Sequence, residues 1–252
     1  GVLAGLYEAV LDRTCGGFPF PPGTRIAAAG NQDTDGANVT ELPRPLCNRL
    51  AIVEYAGPTF DEWAAYAFDA GVHPLVVTAL RVAPEFLHQK FDSSVERSPT
   101  PRAWMRVSKL MHELERNPDL PKSFRLLGVS SIVGDEAALK VEAIMELAVK
   151  LFSFDEIVKS PDTVPAHPSL ALSFLQAMML AGKVQNAEQT KACFAYVERT
   201  ARELIGVFTR RITARAHKEP NGYAIMSDAE LLTKMQKAGA VIEAGRYLKQ
   251  GN

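Results

Sequence analysis

Two short runs constrain this chain more than any other feature. Thr24 to Gly30 (TRIAAAG) and Leu50 to Tyr55 (LAIVEY) are apolar without polar alternation, the pattern of strands covered by helices on both faces. From Pro58 onward the apolar residues instead recur at helical spacing for most of the remaining sequence. Two isolated strands of this kind would leave backbone N–H and C=O groups unpaired and apolar faces in water. The sequence therefore predicts an α/β segment over 1–57 that cannot build its sheet unaided, followed by a helical region. The helical pattern of Leu3, Leu6, Val10 and Leu11 opens at Gly1 with no capping residue, which reads as a segment of a longer polypeptide.

Helix signals are specific along the rest of the chain. The first helix should run over 2–13 and stop at Gly16-Gly17, before a turn-rich connector from Phe18 to Gly23. A polar loop from Asn31 to Glu41 and a short helix near Pro43 to Asn48 come next. Thr59 and Glu62 form a capping box, with Trp63, Tyr66 and Ala67 on one face and Gly71 as the stop. Pro74 to Val82 is a second helix, and Thr100-Pro101 starts a longer one carrying Trp104, Val107, Leu110, Met111 and Leu114. Further helices are predicted at about 135–152, 169–181 and 188–217, and Ser227 with Glu230 opens a last one that Gly239 can close.

Composition removes several function classes. With 28 basic against 29 acidic residues in a chain of 252, there is no field to hold a polyanion, so nucleic acid is not an expected partner. The longest apolar run, Leu170 to Gly182, is interrupted by Ser173 and Gln176 and is shorter than a membrane span. No secretory leader pattern is present, and Cys15, Cys47 and Cys193 build neither a disulfide frame nor a metal clip, so the expected location is cytoplasmic. The histidines His73, His88, His112, His167 and His217 show no ligand spacing, and the reading assigns them to surfaces and helix ends with no metal site. Asp33 and Asp35 lack the later Glu of a calcium loop, and the Asn38-Val39-Thr40 sequon lacks a secretory context. No GxSxG or Cys–His arrangement suggests a hydrolase triad.

Three polar residues remain as candidates for chemistry. Asn31 follows the first predicted strand at its carboxyl end, where open parallel sheets gather ligands, and its amide can orient water without adding charge. Arg102 follows Pro101 at the start of a helix, where a cation opposes the macrodipole unless both face one anion. Arg49, with Arg44 nearby, suits the negative charge that develops on a transferring phosphoryl group. Each has a plain structural alternative: a turn residue for Asn31, solvated side chains for the arginines. Arg210, Arg211 and Arg215 read as a solvated helix end or a subunit contact.

The strings GNQDTDG (30–36), LPRPLCNRL (42–50) and SPTPRAW (98–104) together resemble the second half of a MoxR-like or dynein-related AAA+ ATPase. The resemblance implies a remnant of a P-loop AAA+ α/β core over 1–57, a mainly α-helical lid over 58–150 and a helical C-terminal extension over 151–252. It makes Asn31 the sensor-1 residue, Arg49 the arginine finger (with Leu50 where Phe is usual) and Arg102 the sensor-2 arginine. The stretch Gly128 to Glu136 looks like the lid continuation of phage- and plasmid-type relatives, and 161–173 is weakly similar to their tails. ATP and Mg2+ are the implied cofactors, a homo-oligomeric ring, usually of six subunits, the implied assembly, and a protein client, in some members with a von Willebrand-type domain, the implied partner. One departure is severe: the sequence has no G-x-x-x-x-G-K-[ST] loop and no acidic strand end, so nucleotide and metal would be held mainly by residues outside it, and this chain alone should be inactive. Two other readings stand beside this one. A non-enzymatic helical scaffold or adaptor with a degenerate α/β segment is the first; an AAA+ initiator or clamp loader acting on DNA, disfavoured by the neutral charge and the absence of a basic face, is the second.

Overall fold

Local capping signals decide where most helices start, and packing decides how they bend and meet. The computed structural model describes residues 2–31, 42–89, 97–117, 119–220 and 222–237. Asp33, Asp35, Asn38 and Gly239, singled out in the sequence, lie outside them. The chain divides into two compact units, one ending at Gly57 and one beginning at Pro58.

In the first unit, α1 (Val2–Tyr7) continues as a π-helical stretch, Glu8–Asp12, that Arg13 ends in the left-handed region at φ 55°. Strands β1 (Thr14–Cys15) and β2 (Phe18–Pro19) pair antiparallel across Gly16-Gly17, both at positive φ, as the turn requires. Glu8 Oε1 accepts from Gly17 N at 2.7 Å and Thr14 Oγ1 at 3.1 Å, and the Gly17 amide, then Thr14, holds its carboxyl below the usual glutamate range. The short α2 (Arg44–Cys47) lies within the predicted 43–48.

Neither predicted strand forms. Residues 24–31 and 51–59 have no regular secondary structure, and β1–β2 is the only sheet among the described residues. Ile52, Val53 and Tyr55 are 62, 80 and 96 % exposed. In place of the α/β core expected over 1–57, the described residues there form a two-strand ribbon, two short helices and irregular chain. A strand buried on both faces needs neighbours on both edges, and none is present among the described residues.

The second unit is helical. Helix α3 (Phe60–Ala70) has the predicted capping box: Glu62 N donates to Thr59 Oγ1 at 3.3 Å, Thr59 N donates to Glu62 Oε2 at 2.8 Å, and Gly71 closes it at φ 72°. Helix α4 (Pro74–Val82) begins with Pro at its first position and ends before a 3-10 turn, Pro84–Phe86. Helix α5 (Pro101–Arg116) is capped by Thr100, whose hydroxyl accepts from Ala103 N at 3.1 Å. Helices α6 (Lys122–Val133) and α7 (Asp135–Ala148) meet at Gly134 and are clipped by Arg125, which donates to both oxygens of Glu142 at 3.0 and 2.6 Å. The sequence reading gave no separate helix at 122–133. Its apolar residues Phe124, Leu127, Val129 and Val133 are spread around the axis, so no one-sided stripe marks it.

The remaining helices are α8 (Phe154–Lys159), α9 (Leu170–Lys183), α10 (Ala187–Thr200), α11 (Ile205–Lys218), α12 (Gly222–Ile225) and α13 (229–237). The centre of the unit is α9, buried nearly all round and packed against α4, α7, α10 and α11. Gln176, one of the two polar residues that interrupt its apolar run, has a task there. Gln176 Oε1 accepts from Phe152 N at 2.9 Å and its Nε2 donates to Phe152 O at 3.2 Å, so the amide pairs with the N–H and C=O of one residue as a neighbouring strand would. One hydrophobic core runs from Trp63 to Met235 and takes in residues of both 58–150 and 151–252.

The single helix predicted over 188–217 is two. Ala201 leaves helical geometry at φ −149°, ψ 61°, and a 3-10 turn, Arg202–Leu204, separates α10 from α11. A straight helix would hold Phe194 and Phe208 roughly 21 Å apart at about 1.5 Å per residue. Their rings instead lie 6.4 Å apart between centroids. The final helix is capped by Asp228 rather than Ser227: Leu231 N donates to Asp228 Oδ1 at 2.8 Å, while Ser227 Oγ donates to Ala224 O. Among the described residues, no helix is long and apolar enough to cross a membrane.

Candidate functional site

The three residues singled out in the sequence sit in different settings. Asn31 is exposed at the end of the irregular 24–31 segment, so it has no strand end to stand on. Arg49 is exposed just after α2, and its Nη1 donates to Pro45 O at 3.0 Å, folding the side chain back onto its own helix. Asn31 and Arg49 belong to the first unit and Arg102 to the second.

Arg102 is the most informative of them. It is exposed at the second position of α5, directly after Pro101, and makes no hydrogen bond or ion pair with any described residue. A cation there faces the positive end of the helix dipole, which costs about 0.3–1 kcal/mol. No acidic residue occupies the first turn to offset it. Arg102→Glu is accordingly expected to raise stability by about 0.3–1 kcal/mol, read as an upward shift of the thermal midpoint at low salt. A midpoint that falls would mean the guanidinium is supported in a way the structure does not show.

The structure assembles a second constellation that spacing alone concealed. His73 is the residue before Pro74 and fully buried, and it caps α4: Leu75 N donates to His73 Nδ1 at 3.2 Å. Its own N–H donates to Ser108 Oγ on α5 at 2.9 Å. His112 and Glu115, one turn apart on α5, complete the group. The two imidazole rings meet edge to face at 4.9 Å, and His73 Nε2 lies 2.9 Å from Glu115 Oε1. That contact is short but poorly aligned for a hydrogen bond, so the buried nitrogen has a charged neighbour without a well-formed acceptor. His112 Nε2 reaches Gly71 O at 3.2 Å, and its Nδ1 lies 4.0 Å from Glu115 Oε2.

Glu115 is held below the usual glutamate range. The His73 contact is the largest cause; partial burial opposes it, and the potentials of His73, His112 and Lys183 reinforce it. His73, His112 and Glu115 offer ligand atoms within 4.8 Å of one another, the donor set of many metal sites. The hydrogen bonding argues for another use. Because Nδ1 of His73 accepts from Leu75, a neutral ring carries its proton on Nε2 and presents a donor, not a lone pair, to the cluster. A metal at Nε2 would need that proton moved to Nδ1 and the helix cap given up. The group works as a latch between the start of α4 and the end of α5. His73 is thus one of the helix-end histidines expected from the sequence, but a buried one.

Of Arg210, Arg211 and Arg215, read from the sequence as a solvated helix end or a subunit contact, Arg210 is exposed, whereas Arg211 is buried and Arg215 partly so. Arg215 Nη1 donates to Ala181 O at 2.6 Å and Val184 O at 3.0 Å, at the carboxyl end of α9, and its Nε and Nη2 bind Glu219 at 2.8 Å each. Arg210 pairs with Asp69 at 3.3 Å. Arg211 is 7 % exposed, and its Nη1 donates to Val72 O at 3.1 Å. Burial, then the neighbouring charge of Arg215, pulls Arg211 down to about 10. Arg215 thus caps the carbonyl end of α9, satisfying a group that the helix leaves open, while Arg211 binds a carbonyl just beyond the Gly71 stop of α3. Cys193, buried, has its thiol pushed up to about 12 and is not a nucleophile.

Comparison of the chain with known protein families, with characterised proteins and with solved structures finds no match.

Proposed function

We propose that this chain supplies the C-terminal half of a MoxR-like AAA+ ATPase, which couples ATP hydrolysis to the remodelling of a partner protein. The observation that carries the reading is Arg102: a Thr-Pro-Arg sequence opening a well-capped helix, with an exposed guanidinium that meets no partner among the described residues and stands where only an anion would make it favourable. The order of the three motifs and the mainly helical character of the described residues after Pro58 support it. In this reading Arg102 contacts bound phosphates, Asn31 orients water, and Arg49 reaches the site of a neighbouring subunit in a homo-oligomeric ring.

The residues present do not make a nucleotide or magnesium site by themselves. The chain has no Gly-rich phosphate loop, and the one metal-like donor set among the described residues is closed by the His73 cap. The cradle must therefore come from another segment or another chain. The same reading requires 24–31 and 50–55 to acquire strand partners there.

The test is ATPase turnover of the assembled ring, with Arg49→Ala subunits titrated into wild type. Each mutant subunit should silence its neighbour's site, so turnover falls to a residual level in the all-mutant ring, by about 1000-fold or more. Unchanged turnover, or a full-length protein that does not bind ATP, overturns the reading. A second reading, a non-enzymatic helical scaffold, is favoured by one observation: the helical unit has a continuous core of its own while the predicted strands are not formed. Absence of nucleotide binding by the full-length protein would decide for it.

A further inference from the structure

The rings of His73 and His112 touch, yet each has a different nitrogen engaged. Nδ1 of His73 accepts from Leu75 N at 3.2 Å, so the neutral ring carries its hydrogen on Nε2 and its one lone pair holds the α4 cap. On His112 the engaged nitrogen is Nε2, 3.2 Å from Gly71 O. A carbonyl only accepts, so Nε2 of His112 carries the hydrogen and the free lone pair is on Nδ1. That nitrogen lies 4.0 Å from Glu115 Oε2. A lone pair facing a carboxylate oxygen is an unfavourable pairing, and a proton placed between them reverses its sign.

A proton entering the cluster can therefore go to Nδ1 of either ring, with unequal consequences. At His73 it would turn the acceptor for Leu75 N into a second donor, so the α4 cap would have to open, and charge would appear on a fully buried ring. At His112 it breaks no existing hydrogen bond: Nε2 keeps its contact with Gly71 O, and the ring is partly exposed, so water helps to carry the charge. With the ring centroids 4.9 Å apart, a charge on His112 then opposes a second one on His73.

The surrounding charges favour a single proton as well. On α5 itself, Arg116 is paired with Glu113 and Lys109 is exposed. At the end of α3, Asp69 pairs with Arg210 of α11 and its carbonyl accepts from Lys218. Arg215 of α11 is bound to Glu219. Arg211 of α11 and Lys183 of α9 interact with Glu115 too, and their positive charge weighs against loading the cluster with more than one proton.

We propose that this cluster is a one-proton switch, in which His112 takes the proton at Nδ1 and closes on Glu115 while His73 stays neutral and keeps the α4 cap. Below neutral pH a charged imidazole then ties the end of α5 to Gly71, the stop of α3; above it the His112–Glu115 contact is open. The inference does not rest on the ATPase reading, since none of Asn31, Arg49 and Arg102 takes part.

The experiment follows the imidazole nitrogens of the full chain by 15N NMR from about pH 8 to about pH 5, with EDTA present to keep the cluster free of metal ions. His73→Asn and His112→Gln assign the two rings. Nδ1 of His112 should move from the resonance position of a bare ring nitrogen to that of an N–H. Nδ1 of His73 should keep the bare-nitrogen position, and the Leu75 amide should keep its hydrogen-exchange protection. Glu115→Gln should weaken proton binding at His112 by about two- to fivefold, read as a lower titration midpoint. A proton that reaches His73 first, or both rings together, overturns the proposal. So does a His112 midpoint that Glu115→Gln leaves in place, or a chain that unfolds before His112 titrates.

Discussion

Trp104→Ala is expected to lower the stability of the helical unit by about 3–5 kcal/mol. The indole is 1 % exposed in the first turns of α5, and its Nε1 donates to Phe86 O at 2.6 Å. Truncation opens a cavity the size of a ring system in a core that α5 shares with its neighbours, and it leaves the Phe86 carbonyl without its donor. Trp104→Phe should cost less, because most of the volume stays and only the hydrogen bond is lost. Chemical denaturation read by far-ultraviolet circular dichroism gives the difference. An alanine variant within about 1 kcal/mol of wild type would mean that the start of α5 is not packed as described. Arg102 lies two residues earlier on the same helix, on its exposed side, so a functional loss in Arg102→Ala with stability retained separates its role from that of Trp104.

His73→Ala is expected to cost roughly 2–4 kcal/mol, combining a lost helix cap with a cavity at a fully buried position. His73→Asn keeps a side-chain acceptor suited to the cap while removing the contact with Glu115, so it should recover about half of that loss. The two variants also differ from wild type in acid. The pKa of Glu115 is held low in the folded state, so its contribution to stability is complete above the ordinary glutamate value and disappears as pH falls through the lowered one. Wild type should therefore lose stability between about pH 5 and pH 3 more steeply than Glu115→Gln or either His73 variant. Equal slopes in denaturation midpoints measured across that range would remove the latch. Glu115 is 53 % exposed, so solvent screens much of its interaction and the difference in slope is modest.

The parts of this fold that were legible in the sequence are those set by neighbours in the chain. The Thr59–Glu62 box, Gly71 at positive φ, Pro74 and Pro101 at first helical positions and the Gly16-Gly17 turn all act over a few residues. The failures came where a distant partner decides. Apolar spacing continues across Ala201, so one helix was predicted, but burying Phe194 against Phe208 requires the chain to turn there. Helix α6 was missed because its apolar residues do not share a face. The runs at 24–30 and 50–55 have strand-like composition, yet a strand is defined by its neighbours.

The candidate sites divide in the same way. Thr100, Pro101 and Arg102 declared a helix start bearing an unusual cation from sequence order alone, and α5 starts there. His112 and Glu115 are a visible one-turn pair, but nothing in the spacing brings in His73, which arrives from the start of α4. Arg211 looked like its neighbours Arg210 and Arg215, and only the packing of α11 against α9 buries it opposite Gly182. Sequence by itself determined helix starts, stops and the neutral charge balance, because capping and composition are properties of adjacent residues. Tertiary structure alone decided which cations are spent on carbonyls and which are buried, because desolvation and hydrogen-bond partners are shared between segments far apart in the chain.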